Sequence, residues 1–198
     1  NRTYTLPQLY SYRAENSAVL YNASSMLLLP DLLGYFLTGV KTTEMTIAGT
    51  SCLMENRQEN WSIEVARRFG IPEKLYTEIV EPRTFKGNLR QEIQIQTGMK
   101  NTRLVATVGH SAAAVAAIPD FGENKLYISI GTNVSMGVER SECLLSREGY
   151  LKGFKNTGGI DRKKIIYRDF SACWHLNEFI RTRKQQGITY SLVELINM

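Results

Sequence analysis

The first 40 residues carry apolar side chains at helical spacing. The segment Leu6–Tyr21 predicts one helix, and the aliphatic cluster within Ala23–Thr38 predicts a second. Pro30 fits the first turn of that second helix, where its missing N–H costs nothing, and Gly39 fits a left-handed C-terminal cap. The second helix is therefore expected to run from about Pro30 to Thr38.

The next part of the chain predicts a loop followed by a short helix. Residues 42–53, TTEMTIAGTSCL, are rich in Thr and indicate a loop. Residues 62–72, SIEVARRFGIP, indicate a helix that Asn60 or Ser62 caps and that Gly70 ends. We therefore expect a single short helix in this region.

A strand and a helix of small residues are predicted further on. Residues 82–98 indicate irregular or edge structure. LVATV, at 104–108, indicates a buried strand from its length and β-branched content. AAAVAAI, at 112–118, indicates a closely packing helix, and Pro119 with Gly122 ends the unit.

From Lys125 the pattern changes, which predicts a second α/β unit. The runs 126–130 and 134–139 flank a turn and indicate a β-hairpin, and a long amphipathic helix is expected from about Lys163 to Lys184. The fold class is therefore α/β, with one unit at 1–122 and another at 123–198.

Composition and charge favour an ordinary globular protein. The 198 residues are 43% hydrophobic, and 24 Lys and Arg against 19 Asp and Glu give a net charge of +5. The densest basic runs, Arg162–Arg168 and Arg181–Lys184, are typical of solvated helix faces. They are the only support for nucleic-acid binding, so no nucleic-acid partner is expected.

The cysteines and the apolar runs bear on the cellular compartment. Three cysteines at wide spacing suit neither a disulfide framework nor a zinc site, which favours free thiols in a reducing cytoplasm. Pro30 and Asp31 interrupt the longest apolar run, so neither a membrane span nor a secretion signal is predicted.

Several polar motifs have both a chemical and a plain structural interpretation. The turn after LYISI offers Gly131 and Thr132 to a phosphate group, although an ordinary hairpin uses the same residue types. His110 can accept a proton, bond a substrate hydroxyl or simply end a strand. Ser111 lies outside any G-x-S-x-G elbow, and His175 beside Cys173 lacks further metal ligands, so no metal site is assigned.

Taken in order, these motifs resemble the FGGY family of carbohydrate kinases through almost the whole chain. The resemblance rests on TYTLPQLY, LLLPDLLGYFLTG, TTEMTIAGTSCL, LVATVGHSAAAVAAIP, LYISIGTNVSMGVE, GFKNTGG and the segment with CWHLNE. It implies the actin and hexokinase fold, in which two RNase H-like α/β domains close over a cleft. Residues 1–122 would be the later part of the sugar-binding domain, and 123–198 the opening of the ATP-binding domain.

The resemblance also implies roles for residues on the sugar side. His110 matches the first residue of a His-Asp-Thr-like triplet, and Ser111 and Ala112 stand at the Asp and Thr positions. The Asp of that triplet takes the proton from the attacking sugar hydroxyl. A serine hydroxyl cannot act as that base near neutral pH without a base of its own.

On the nucleotide side, the resemblance places Gly131, Thr132, Asp169 and Asn177 near ATP. Asp169 stands where an Asn is expected, and its charge would repel a triphosphate unless Mg²⁺ intervenes. ATP and Mg²⁺ are the implied cofactors, and the implied reaction is phosphorylation of a ketose.

Two alternatives to an active kinase remain open. One is a catalytically inactive sugar-binding or regulatory relative, and the other is a partial product that folds only as a scaffold. The phosphate hairpin and the Gly-rich adenosine loop of the family do not occur in the sequence, which indicates a fragment or a degenerate gene product. Such a chain is expected to lack activity alone and to self-associate through exposed sheet edges.

Overall fold

The computed structural model describes residues 4–55, 57–119, 125–130 and 134–196. Helices and strands are mixed along the whole of this described part. In chain order they are α1 (Thr5–Ala14), α2 (Ala18–Asn22), α3 (Leu29–Thr38), β1 (Thr42–Glu44), α4 (Met45–Ala48), β2 (Met54–Glu55), β3 (Asn60–Trp61), α5 (Ile63–Phe69), β4 (Glu78–Val80), β5 (Phe85–Asn88), α6 (Gln91–Thr97), β6 (Arg103–Val105), α7 (His110–Ala116), β7 (Leu126–Ile130), β8 (Val134–Arg140), α8 (Arg147–Leu151), β9 (Lys155–Gly158), β10 (Lys164–Phe170), α9 (Ala172–Gln185) and α10 (Leu192–Ile196).

The first predicted helix is interrupted. Helices α1 and α2 are separate, so the prediction of one helix over Leu6–Tyr21 is wrong at its centre. Asn16 lies between them with φ of 50°, a left-handed conformation that breaks an α-helix and that Asn tolerates. Helix α3 is confirmed, and its cap residue Gly39 has the expected left-handed φ of 83°.

The Thr-rich segment 42–53 is not simply a loop, because it begins with β1 and α4. Strand β1 pairs in parallel with β4, and Thr43 lies opposite Ile79. Thr42, Thr43 and Glu44 are all buried, although polar residues at consecutive positions indicate a solvated loop. The prediction fails because the Thr43 hydroxyl and the Glu44 carboxylate are hydrogen-bonded inside the protein.

The short helix after this segment follows the prediction. Helix α5 begins after Ser62, whose hydroxyl accepts the backbone N–H of Val65 at 3.3 Å. It ends at Gly70, where φ is 65°. The alternative cap, Asn60, instead accepts the backbone N–H of Trp61 within strand β3.

The region around LVATV differs from the prediction in two ways. Residues 82–98 contain strand β5, which is an edge strand of a two-stranded sheet as predicted, and helix α6, which the prediction of irregular or edge structure missed. Strand β6 covers only Arg103–Val105 and pairs with β5 alone among the described strands. The side chain of Val105 is half exposed, so the expectation of a buried strand at 104–108 is wrong for this residue. β-Branched content signals a strand but not its burial.

The second half of the chain builds a four-stranded antiparallel sheet with the order β7-β8-β10-β9. The predicted hairpin is confirmed, because β7 pairs with β8 and Ile130 lies opposite Val134. The predicted helix over Lys163–Lys184 is wrong in its first part, which is strand β10. Ile166 and Phe170 are four residues apart, which is a helical spacing and explains the prediction. The segment is nevertheless rich in β-branched and aromatic residues, and it pairs with β8 on one side and β9 on the other.

The two faces of this sheet have different surroundings. Tyr127 and Ile165 on one face pack against Ala112 and Val115 of helix α7. Through this contact, helix α7 from the first half of the chain packs against the sheet of the second half. We call the opposite side the outer face. Its apolar residues are Leu126, Ile128, Ile130, Val134, Met136, Val138, Ile166 and Phe170.

Two further observations concern the thiols and the membrane. Cys52 and Cys143 are free thiols, and burial raises the pKa of both. Within the described ranges, every helix is too short or too polar to cross a membrane. The side chain of Cys173 lies outside the described part of the chain.

Candidate functional site

The start of helix α7 is fixed by contacts with helix α4. The backbone N–H of Gly109 donates to the Thr46 hydroxyl at 2.7 Å, and this bond is buried. A Cβ at Gly109 would lie 3.4 Å from both the Thr46 hydroxyl and Ile47 Cδ1, an ordinary van der Waals distance. The buried hydrogen bond to Thr46, rather than a lack of space for a Cβ, therefore joins α4 to the beginning of α7.

The residues assigned to the sugar side lie in the first turn of α7. His110 and Ser111 are exposed, whereas Ala112 is buried against the sheet. Among the described residues, no carboxylate is hydrogen-bonded to the side chain of His110 or Ser111. The Ser111 hydroxyl thus has no described base that could activate it.

The carboxylate of Glu44, which caps helix α4, is linked to this turn through the Thr46 hydroxyl. Its carboxylate accepts the N–H of Thr46 at 2.8 Å, the Thr46 hydroxyl at 2.6 Å and the N–H of Ile47 at 3.1 Å. Burial raises the pKa of Glu44 above its ordinary value, although these hydrogen bonds act in the opposite direction. Because its oxygens are buried and already bonded, Glu44 positions Thr46 and does not serve as a replacement base.

A buried ion pair lies beneath this capped turn. Lys86 Nζ is 2.8 Å from Asp31 Oδ1, and both side chains are less than 5% exposed. Asp31 Oδ1 also accepts the backbone N–H of Glu44, and the Lys86 ammonium reaches the Thr42 carbonyl at 3.3 Å. This network ties helix α3 and strand β5 to β1, which leads into the α4 turn that holds Gly109.

On the nucleotide side, Asp169 is already paired. Lys155 Nζ lies 2.7 Å from Asp169 Oδ2, and the Ser135 hydroxyl donates to Asp169 Oδ1 at 2.5 Å. Partial burial acts to raise the pKa of Asp169, but the bonds from Lys155 and Ser135 outweigh it and lower the pKa below its ordinary value. The same ion pair raises the pKa of Lys155 despite the desolvation of its ammonium. The cation beside Asp169 thus offsets the charge expected to repel a triphosphate.

The other predicted nucleotide residues are not all described. Gly131 and Thr132 lie outside the described part of the chain, between the ends of β7 and β8. Asn177 is exposed on helix α9, and the side chain of His175 on the same helix is not described. No group of three or more His, Cys, Asp or Glu that could hold a metal ion occurs within the described ranges.

Sequence reasoning missed the residues that support this site. Asp31 within an apolar helix is a signal for a buried partner, but nothing in the sequence identifies Lys86, which is 55 positions away. Lys155 could have been noticed only from the register of β9 and β10, where it lies opposite Tyr167. Ser111 was identified only through the family resemblance, which matches it to the Asp of the His-Asp-Thr-like triplet.

Comparison with solved structures shows the fold. The chain superposes on a ligand-bound xylulose kinase from Lactobacillus acidophilus with a TM-score of 0.76 at 11% identity, covering 86% of this chain and 34% of that one. It superposes on Plasmodium falciparum glycerol kinase with ADP at a TM-score of 0.78 and 16% identity, covering 92% and 38%. The fold is thus that of the actin/hexokinase-like sugar kinases, as predicted.

Sequence comparison identifies the family. Residues 2–117 match the N-terminal domain of the FGGY family of carbohydrate kinases, and the chain belongs to this family, whose members are phosphotransferases. It is 33% identical to a rhamnulokinase from Bacteroides thetaiotaomicron, over 97% of this chain and 39% of the relative. It is 30% identical to a rhamnulokinase from Oceanobacillus iheyensis, over 89% and 37%. The chain spans about two fifths of the length of these curated relatives.

Proposed function

We propose that this chain is a portion of a rhamnulokinase-like enzyme that transfers the γ-phosphoryl group of ATP to a ketose such as L-rhamnulose. The observation that carries the proposal is the similarity to two rhamnulokinases over 89% and 97% of the chain. Solved structures with the same fold include xylulose, gluconate and glycerol kinases. The fold therefore does not select the substrate, and the choice of a ketose rests on the similarity to rhamnulokinases.

The proposed roles follow the geometry at the start of α7 and in the sheet. His110 and Ser111 are exposed and available to a sugar, and buried Ala112 anchors the turn against the sheet. In such an enzyme ATP and Mg²⁺ would approach residues 131–133, and Ser135, at the start of β8, is hydrogen-bonded to Asp169. Positioning and charge stabilisation account for most of the catalysis of phosphoryl transfer.

One observation favours a second candidate, a catalytically inactive sugar-binding or regulatory relative. Ser111 stands at the position of the family's base, and it has no described carboxylate partner. Loss of a general base typically lowers the rate by about two to four orders of magnitude. We therefore expect the isolated 198-residue chain to show no sugar-dependent ATP turnover above background.

The remaining parts of the proposal concern the setting of this activity. We place the protein in the cytoplasm, in rhamnose metabolism, with a small sugar and ATP as partners and with neither nucleic acid nor membrane. We also propose that residues 1–122 belong to the sugar-binding domain and 123–198 to the ATP-binding domain. The family match over residues 2–117 supports the first of these two assignments.

Calorimetric titration of sugars tests the substrate. A version of the chain completed with the segments that its relatives carry should bind L-rhamnulose more tightly than xylulose, gluconate or glycerol. His110→Ala should weaken that binding without changing the melting temperature, because His110 is exposed. The matched control is Arg68→Ala on helix α5, an exposed side chain away from α7. Preferred binding of glycerol or gluconate would contradict the proposed substrate.

A further inference from the structure

Three ion pairs join the chain around the β9–β10 turn to loops of the first half. We call them the clasp, and they are Arg83–Asp161, Glu81–Arg162 and Glu59–Lys164. Glu81 Oε1 accepts from both Nε and Nη2 of Arg162, at 2.9 and 2.7 Å. The first-half partners lie in the β2–β3 and β4–β5 connections. The clasp therefore attaches two connections of the first half to a single turn of the second.

The backbone of the clasp has an uncommon conformation. Left-handed φ values of 54–70° occur at four of its six residues, which are Glu59, Arg83, Asp161 and Arg162. Such values are rare for residues that carry a side chain, and they persist where the surrounding structure holds them. The ion pairs therefore hold these loops in a shape that costs free energy, and the loops can relax once the pairs are broken.

The clasp is open to solvent and therefore to salt. The side chains of the first two pairs are 51–72% exposed, whereas those of Glu59 and Lys164 are 23% and 10% exposed. A cleft of about 520 Å³ lies beside the clasp, and Arg162 and Lys164 line it. Salt screens exposed pairs strongly and partly buried pairs much less. The two exposed pairs should thus weaken first, and the pair of Glu59 and Lys164 should persist.

The two halves also touch along strand β9. The Thr157 hydroxyl donates to the Thr46 carbonyl at 3.4 Å in a buried contact, and Lys155 Nζ lies 5.7 Å from the centre of the Tyr4 ring. Lys155 precedes Thr157 in β9 and the clasp follows it, so the Tyr4 contact and the clasp lie on opposite sides of the contact between Thr46 and Thr157. Loss of the clasp would therefore allow the halves to rock about this central contact.

We propose that the clasp is sensitive to ionic strength and sets the angle between the two halves. At low ionic strength all three pairs hold one orientation, and at high ionic strength the two exposed pairs are lost and the halves rock about the contact of α4 with β9. Thr46 at this contact also holds Gly109 at the start of α7, so the clasp influences the junction that carries His110 and Ser111. The inference concerns the orientation of the halves and does not depend on kinase activity.

Double electron–electron resonance between two spin labels measures this orientation. The labels are attached through Val19→Cys on α2 and Tyr150→Cys on α8, at positions that are 68% and 79% exposed, and the three native cysteines are replaced by Ser. Dilution with unlabelled chain removes distances between copies. The distance distribution should be narrow at about 0.01 M salt, where the Debye length is about 30 Å. It should be roughly twice as wide at about 1 M salt, where the Debye length is about 3 Å.

Charge reversal tests whether pairing is the cause. Arg162→Glu should widen the distribution roughly twofold even at about 0.01 M salt, because two carboxylates then face each other. Adding Glu81→Arg should restore the narrow distribution, because the pair is remade with its charges exchanged. The matched control is Arg67→Glu, since Arg67 is 73% exposed and pairs with Glu73 within the first half. This variant should leave the distribution unchanged, and circular dichroism should show that each variant is folded.

Three results would overturn the proposal. One is the same distance distribution at both salt concentrations. Another is a folded charge-exchanged variant whose distribution stays wide, because the pair of Glu81 and Arg162 would then not be the cause. The third is an equal change in Arg67→Glu, which would assign the effect to net charge. If Arg162→Glu does not fold, the salt series on the labelled chain without charge reversal decides the question.

Discussion

The ion pair between Asp31 and Lys86 makes the first half of the chain sensitive to a single substitution. Lys86→Met removes the cation and leaves a carboxylate that is almost fully buried, so the free energy of unfolding should fall by about 3–5 kcal/mol. Urea denaturation measures this loss. The control is Arg67→Met, which breaks an exposed pair with Glu73 and should cost less than about 1 kcal/mol. Equal losses in the two variants would show that burial does not govern the effect.

Asp169 should contribute a pH-dependent part of the stability. Its pKa is lowered in the folded protein, so its contribution is complete above the ordinary Asp value of about 4 and is lost as the pH falls through the lower folded-state value. Asp169→Asn should therefore lower the melting temperature at about pH 7, and this loss should shrink as the pH falls below about 4. Glu142→Gln, which changes an exposed carboxylate, is the control. If the loss of melting temperature caused by Asp169→Asn persists or grows as the pH is lowered, this role of Asp169 is contradicted.

The structural position of some residues can be predicted from the sequence, and that of others cannot. The helix of small residues was predicted over 112–118, but it begins two residues earlier at His110, so His110 and Ser111 lie in its first turn rather than at the end of a strand. The buried pair of Asp31 and Lys86 could not be predicted, since it depends on how α3 and β5 are packed. Partners distant in sequence are fixed by tertiary structure, and pattern analysis sees only neighbours.

At the scale of elements, the centre of the sheet depends on Gly137. A Cβ at this position would lie 2.5 Å from the Ile166 carbonyl oxygen and 2.8 Å from the Tyr127 ring. Gly137→Ala should therefore destabilise the chain by about 1–3 kcal/mol, which chemical denaturation can measure. Gly49→Ala is the control, because its nearest neighbours would be 3.4–3.5 Å away. A neutral effect of Gly137→Ala would mean that β8 and β10 are less closely packed than described.

The elements also show why only part of the fold could be predicted. Helices α3 and α5 were predicted because their caps, Gly39 and Ser62, act locally. Strand β10 was mistaken for the start of a helix, because the spacing of Ile166 and Phe170 suits both structures. The segment forms a strand because it pairs with β8 and β9. This pairing depends on the assembled sheet and cannot be deduced from the sequence of the segment alone.

At the scale of the whole molecule, contacts between the first and second halves position the start of α7. Helix α7 packs on the sheet through Ala112 and Val115, while Thr46 of helix α4 holds Gly109. Arg162 also pairs with Glu81 at 2.7 Å. The exposed turn with His110 and Ser111 thus lies where the two halves meet, as the proposed cleft between a sugar-binding and an ATP-binding domain requires.

The most direct measurement is phosphoryl transfer from ATP to L-rhamnulose by the completed chain, with and without a carboxylate at position 111. Ser111→Asp with Ala112→Thr should raise turnover by about two to four orders of magnitude over the unsubstituted protein, because the carboxylate can take the proton of the attacking hydroxyl. Ser111→Asn with Ala112→Thr, which supplies no base, should leave turnover at background. If the unsubstituted protein already phosphorylates a ketose at about 1–100 turnovers per second, the range of typical kinases, Ser111 does not stand at the catalytic position.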